Sequence, residues 1–243
     1  FSPAAHWAAT REILGLLTRH RELTWEMARR EISERYAGQM LGALWAVGHP
    51  LVFVAVYVFL FAIVFKVRLG GTVEMPLDYT VYLLAGLVPW MAVQECLAKA
   101  SIAITGQANL VKQVVFPIEV LPAKGVLASV FTQLVFLAGL CVYVLLRFHS
   151  LPWTYALLPI LILIQAVAMI GAGYLLSAVG VFIRDLKDLV QVFCIIGVFL
   201  VPVCYLPDMV PDLIRPLLYV NPFSYLIWCY QDACYYGRFE HPW

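Results

Sequence analysis

A chain of 243 residues that is 63% hydrophobic and only 13% charged, with a mean hydropathy of +0.86, carries more apolar surface than a water-soluble core of that size can hide. A net charge of +1 says nothing about nucleic acid; the distribution of charge says more. The apolar residues gather at 50–66, 79–98, 123–146, 153–182 and 189–206, each near the roughly 17–25 residues an α-helix needs to cross a bilayer. The expected fold is therefore an all-α polytopic membrane protein with one transmembrane domain over 1–243. Its parts are an interface helix at 10–36, five transmembrane helices over 45–206, and a re-entrant outer hairpin at 207–238.

The interface helix is amphipathic over 11–30. Arg11, Glu12, Arg19, Glu22, Glu26, Arg29 and Arg30 share one face at helical spacing, and Ile13, Leu16, Leu17, Leu23, Met27 and Ala28 share the other. Such a helix is expected to lie in the headgroup plane, with Glu26–Arg30 and Glu31–Arg35 as i,i+4 ion pairs. Arg29, Arg30 and Arg35 suit contact with anionic lipid headgroups. Trp45 suits an interfacial anchor.

Span one carries Phe53, Tyr57, Phe61 and Phe65 at i,i+4 steps, an aromatic ladder along one helix. Span two holds Pro89 near its middle, which removes a backbone hydrogen bond, and a Glu95–Lys99 pair near its inner end. The connection at 100–122 is long and apolar for a loop, as expected of a segment that meets another protein or folds back onto its own domain. Pro122 falls in the first turn of span three. In span four, Gly171, Gly173, Ser177 and Gly180 form a small-residue line along which another helix could approach closely. A short turn containing Arg184 and Asp185 leads to span five. Beyond it, Asn221-Pro222 reads as an N-cap followed by proline at N1, opening an aromatic-rich stretch at 223–236 that is too short to span. His241-Pro242-Trp243 reads as the lead-in to a sixth span.

Arginine and lysine distribution orients the chain. With a cytoplasmic N-terminus, Arg11, Arg19, Arg21, Arg29, Arg30, Arg35, Lys99, Lys112, Lys124, Arg184 and Lys187 fall inside, against Lys66, Arg68, Arg147, Arg215 and Arg238 outside. No catalytic grouping, P-loop or metal-ligand spacing is present in the sequence. The six cysteines form no CxxC pair, and Cys229 and Cys234 are placed outside on different sides of a helix. Gln94, Gln133, Gln165 and Gln191 are the main polar groups in the spans, read first as interhelical hydrogen bonds. Almost no ionisable group lies mid-span, which disfavours an ion-coupled transporter or an intramembrane enzyme.

Five strings in order resemble one family: Arg35-Tyr36-Ala37-Gly38-Gln39-Met40-Leu41-Gly42-Ala43-Leu44-Trp45, Gly86-Leu87-Val88-Pro89-Trp90, Asn109-Leu110-Val111-Lys112-Gln113-Val114-Val115-Phe116-Pro117, Val181-Phe182-Ile183-Arg184-Asp185-Leu186-Lys187-Asp188 and Tyr219-Val220-Asn221-Pro222. The chain resembles the membrane subunit of ABC transporters that export lipid-linked polysaccharides such as O-antigen, teichoic acid and capsule. The resemblance implies a bacterial inner-membrane permease acting as a homodimer with two cytoplasmic ATPase subunits, which would hold ATP and Mg; this chain would carry no cofactor. It implies coupling to the ATPase through Asn109, Leu110, Lys112, Phe116, Pro117, Arg184 and Asp185. It implies a polyprenyl-linked polysaccharide substrate in a channel lined by spans one and five, with Phe53, Tyr57, Phe61, Phe65, Phe193 and Phe199 facing it. Pro211, Tyr219, Asn221, Pro222, Tyr225 and Trp228 would form an outer gate. An ABC exporter of a drug or lipid shares the same helices. A membrane enzyme or scaffold of glycan-lipid assembly is the more distant alternative.

Overall fold

The computed structural model describes residues 15, 19–65, 78–108, 117–206, 209–212 and 215–241, all helix, turn or loop with no strand among them. The helices are α1 (Arg21–Arg35), α2 (Trp45–Val58), α3 (Tyr79–Ser101), α4 (Val120–Phe148), α5 (Leu158–Phe182), α6 (Leu186–Leu200), α7 (Arg215–Val220) and α8 (Pro222–Gln231). π-helical turns extend α2 over Phe59–Val64 and α8 over Asp232–Tyr236, and a 3-10 turn at Trp153–Leu157 leads into α5.

Four segments are long and apolar enough to cross a membrane: Trp45–Val64, Tyr79–Ser101, Val120–Phe148 and Trp153–Phe182. The fifth expected span is shorter than predicted. α6 is a 15-residue helix that stops at Leu200 rather than near 206. Val201 is extended (φ −113°, ψ 149°), and Pro202, which has no N–H, follows it.

α3 is the axis of the bundle. Its most apolar window is 72% buried, against 11% for the α2 segment. It packs on α4, α5, α6 and α8, and the two core clusters both draw on it. A buried amide network locks these elements together. Gln133 Nε2 donates to Gln165 Oε1 (2.8 Å) and to the Tyr230 hydroxyl (3.0 Å). The Tyr230 O–H donates to Gln165 Oε1 (2.6 Å), and Gln165 Nε2 donates to the Pro89 carbonyl (3.1 Å). α4, α5, α8 and α3 each contribute one member, the interhelical role expected for Gln133 and Gln165.

The irregular chain after α6 is held by side chains. Asn221 Nδ2 donates to the Leu200 carbonyl (3.3 Å), Gln231 Nε2 to Pro202 (2.8 Å), Tyr79 to Cys204 (2.9 Å) and Tyr82 to Tyr205 (2.9 Å). α8 then runs inward along α3. At Gly86 an added Cβ would stand 3.0 Å from both Gln231 and Ile227, so any larger residue would press on α8 at this depth. Cys234 is consequently buried and Cys229 half-buried. All six cysteines are free.

The small-residue line of span four is also realised. Gly173, Ser177 and Gly180 are buried against the α3–α4 end, whereas Gly171 is exposed. A Cβ on Gly180 would overlap the Ser101 carbonyl oxygen, a backbone atom that cannot swing aside. Gly180→Ala is expected to lower stability by about 1–3 kcal/mol. Gly171→Ala, with nothing within 4 Å, should leave the thermal midpoint unchanged or slightly raised. Thermal unfolding of the two variants in detergent checks the contrast.

Candidate functional site

An open groove of about 370 Å³ lies between α3, α4 and α6. α3 lines it through Val88, Met91, Ala92, Glu95 and Ala98, residues at the i,i+3 and i,i+4 spacing of one helix face, with Gln94 beside them. α4 contributes Thr132, Gln133 and Phe136, and α6 contributes Gln191. Thr132 donates its hydroxyl to the Ala128 carbonyl (3.2 Å), so its oxygen lone pairs remain to accept. Gln94 donates to the Cys194 carbonyl and braces α6 against α3. The walls are thus amides, hydroxyls and apolar surface, with one carboxylate, Glu95, at the α1 end.

The aromatic ladder continues from this groove toward the far end of the bundle. Phe53 meets Phe136 edge-on (5.4 Å between centroids) and stacks on Tyr57 (4.4 Å). Tyr57 stacks on Phe61 (5.8 Å), which meets Phe65 (5.7 Å) and Tyr79 (5.6 Å). The i,i+4 spacing therefore gives continuous ring contact. Phe53, Tyr57 and Phe61 are half-buried on the protein side of α2, and Phe65 is exposed. On α6, Phe193 packs near Trp90 (6.2 Å) and Phe223 (6.1 Å), and both Phe193 and Phe199 are exposed. Among the described ring contacts, none joins these two residues to the ladder. The sequence placed the ladder but missed its partners Phe136 and Tyr79, and it did not gather Gln94, Glu95, Gln133 and Gln191 into one groove.

At the α1 end, five charged groups from three helices form a chain. Arg35 and Lys99 both reach Glu95 Oε1, the latter at 2.9 Å. Lys99 also binds Glu31 (2.7 Å), and Lys124 binds the other oxygen of Glu31 (3.2 Å). The expected Glu95–Lys99 pair is present. The expected Glu26–Arg30 and Glu31–Arg35 pairs are not: Arg30 pairs forward with Glu34 (2.6 Å), because Glu31 and Arg35 turn toward α3 and α4. α1 is thereby tied to α3 and α4. It packs on α4 through the buried small residues Thr24 and Ala28, while Leu23, expected on the apolar face, is exposed. The charged face of Arg19, Glu22, Glu26, Arg29 and Arg30 is exposed as expected, and Trp45 opens α2 half-buried.

A second cavity of about 560 Å³ lies on the other side of this charge chain, lined by Met27, Arg30, Glu31, Lys99, Gln107 and Lys124 among others. Of the coupling residues, Asn109, Leu110, Lys112 and Phe116 lie outside the described residues. Pro117 is half-buried, its carbonyl accepting from Val120 N (3.1 Å), and Arg184 and Asp185 are exposed in the α5–α6 turn.

The outer set is largely gathered around Trp228, which is only 1% exposed. Tyr219 and Tyr225 each approach its ring (5.3 Å), and Tyr225 donates to the Tyr219 carbonyl (2.8 Å). Asn221 caps α8 by accepting from Phe223 N (3.0 Å), with Pro222 at N1, as read from the sequence. Pro211 is exposed. A clasp that no sequence signal announced lies beneath them. The buried Asp232 carboxylate meets His241 Nδ1 at 2.7 Å and accepts the backbone N–H groups of Glu240 and His241, and Trp228 stacks on the imidazole.

Residues 22–234 match the family of ABC-2 type transporters. The chain belongs to that family. Two O-antigen export system permease proteins, both called RfbA, are similar to it. One from Klebsiella pneumoniae is 28% identical over 217 residues, covering 87% of this chain and 80% of that protein. One from Myxococcus xanthus is 29% identical over 224 residues, covering 91% and 84%. Membership makes this chain the multi-pass membrane subunit of an ABC-2 transporter, homologous to O-antigen export permeases.

In this ABC-2 chain the charge chain at α1 has a defined pH response. Burial alone would push the Glu31 carboxyl up, but the hydrogen bond and charge of Lys99, joined by Lys124, outweigh it and hold it below 4.5. A depressed carboxyl stabilises the folded state above its ordinary value, and that stability is lost as pH falls through the lower folded value. Amide protection of α1 should therefore stay constant down to pH 4.5 and decline only below it. Hydrogen–deuterium exchange across the acid range measures this, and Glu31→Gln should lower protection at neutral pH and flatten the response.

Proposed function

We propose that this chain is the membrane subunit of an ATP-driven exporter that moves a lipid-linked polysaccharide, O-antigen-like, across the bacterial inner membrane. The observation that carries the reading is the groove with its aromatic continuation. Uncharged amides and hydroxyls can exchange hydrogen bonds with sugar hydroxyls, and aromatic faces stack on sugar rings without a deep site that would arrest a sliding polymer. Glu95 is the one charged residue lining it, at one end. The names of the two relatives, O-antigen export permeases, point the same way.

The transport path is formed between two copies of the chain. α2 is buried over only 11% of its apolar window, so its uncovered face can receive a second copy, which would close a path between the two chains with the ladder on the inner side of each α2. Two cytoplasmic ATPase subunits hold ATP and Mg and supply the work. Residues 109–117 and the Arg184–Asp185 turn take up their motion, and the N-terminus lies in the cytoplasm. α6 and its continuation to residue 206 act as the fifth crossing, and α7 with α8 covers the outer mouth. A drug or lipid cargo would favour an apolar chamber. The cleft between α2 and α4 that meets that description, about 660 Å³, opens away from the amide-lined groove.

Two measurements test this. Phe53→Ala and Tyr57→Ala are each expected to slow appearance of glycan at the cell surface about tenfold or more while the complex still assembles; unchanged export would remove the stacking path. Affinity purification of the wild-type chain should bring down a Walker-motif ATPase in about equal amount, and Lys112→Glu or Phe116→Ala should lose it. Absence of any ATPase under mild detergent would refute the assembly.

A further inference from the structure

The groove between α3, α4 and α6 offers many hydrogen-bonding groups and no counter-charge for an anion. No lysine, arginine or histidine is among its described lining residues, and its one charged group, Glu95, is negative. Arg35 and Lys99, at that end, are already engaged in ion pairs with Glu95, and Lys99 with Glu31 as well. The uncharged polar groups are within reach of the open space: Gln94 and Thr132 are half-buried, and Gln191 is exposed. Beyond Phe136 the ladder of Phe53, Tyr57 and Phe61 prolongs the wall and adds no charge. α3 and α4 are both long and apolar enough to cross the membrane, so bulk water is scarce along this wall. A carboxylate carried there gives up hydration that nothing on the wall restores. A sugar hydroxyl gives up far less, and regains it from groups that both donate and accept.

We propose that this groove is a charge filter, which passes neutral sugar units and rejects acidic ones such as uronates. Gln94, Thr132 and Gln191 are its specificity-determining residues. A side-chain amide presents donors and an acceptor together, so it serves a hydroxyl in either sense and does not read one particular sugar. Selection is therefore by charge and not by sugar identity: neutral chains of different composition fit, and an anionic chain of the same size does not. Glu95 reinforces the filter, because the one charged group on the wall has the sign of an acidic sugar. The proposal rests on the export reading and narrows its cargo from a polysaccharide to a neutral polysaccharide.

The test compares two cargoes that differ only in charge. The full chain, with its co-purifying ATPase, is placed in liposomes. One probe is a polyprenyl-diphosphate-linked glucose oligomer with a nitrobenzoxadiazole label at its free end. The other is the same oligomer with each primary hydroxyl group oxidised to a carboxylate. Transport is read as ATP-dependent protection of the label from dithionite, which does not cross the membrane. Wild type should move the neutral probe about tenfold faster than the acidic one, or more. Gln191→Arg, which sets a cation on the wall, should raise the acidic rate and bring the ratio to about threefold or less. Equal wild-type rates overturn the filter and leave the export reading standing. Movement of neither probe overturns the export reading and the filter with it. A wild-type preference that Gln191→Arg leaves unchanged overturns the assignment to this groove. Should that variant fail to assemble, Thr132→Lys, on the facing helix, is read in the same way.

Discussion

Everything in this bundle is arranged around the rule that a backbone carbonyl or N–H within a membrane needs a partner supplied by the protein. Helices meet the rule by themselves. The chain after α6 does not, because Pro202 ends the helix while the polypeptide is still enclosed. Its carbonyls at Leu200, Pro202, Cys204 and Tyr205 are met by Asn221, Gln231, Tyr79 and Tyr82. Two of these donors lie on α3 and two belong to α8 or its cap, so the break can exist only where α8 is inserted beside α3. The glycine at position 86 that admits α8 and the amides that receive the broken strand are one solution to one constraint.

The same economy holds at the opposite end. Exposed ion pairs contribute little to stability, commonly about 0–1 kcal/mol each. The charge chain from Arg35 to Lys124 is better understood as a geometric tie. Lys99 serves Glu31 on α1 and Glu95 on its own helix at once. A displacement of α1 therefore alters the groove wall, and a change at the groove wall is returned to α1 by the same coupling.

Much of the fold was legible in the sequence because the bilayer enforces long apolar runs and proline and asparagine mark ends locally. The Asn221-Pro222 cap, the small-residue line ending at Gly180 and the ladder from Phe53 to Phe65 all came from spacing alone. What escaped was set by tertiary geometry. Glu31 and Arg35 are well spaced for each other, yet each finds a partner on a different helix, since a half-buried charge gains more from a fixed cation than from a mobile neighbour. α6 looked long enough to span because residues 201–206 are as apolar as those before them; only their backbone differs. The groove residues Gln94, Gln133 and Gln191 were visible as polar intruders, but nothing in one dimension reveals that they face a common space. Asp232 and His241 are nine positions apart and gave no periodic signal at all.

The shortness of α6 carries one more implication. At about 1.5 Å per residue, its 15 residues cover roughly 22 Å, whereas the 29 of α4 cover roughly 44 Å. A typical hydrocarbon layer is about 30 Å thick. Beside α6 the protein therefore presents a thinner waist to the surrounding lipid, and the bilayer there must thin or the helix must be shielded by neighbours. A waist of that kind shortens the apolar path across the membrane beside α6. It also ties the working of the protein to acyl-chain length, a property of the host membrane rather than of the polypeptide.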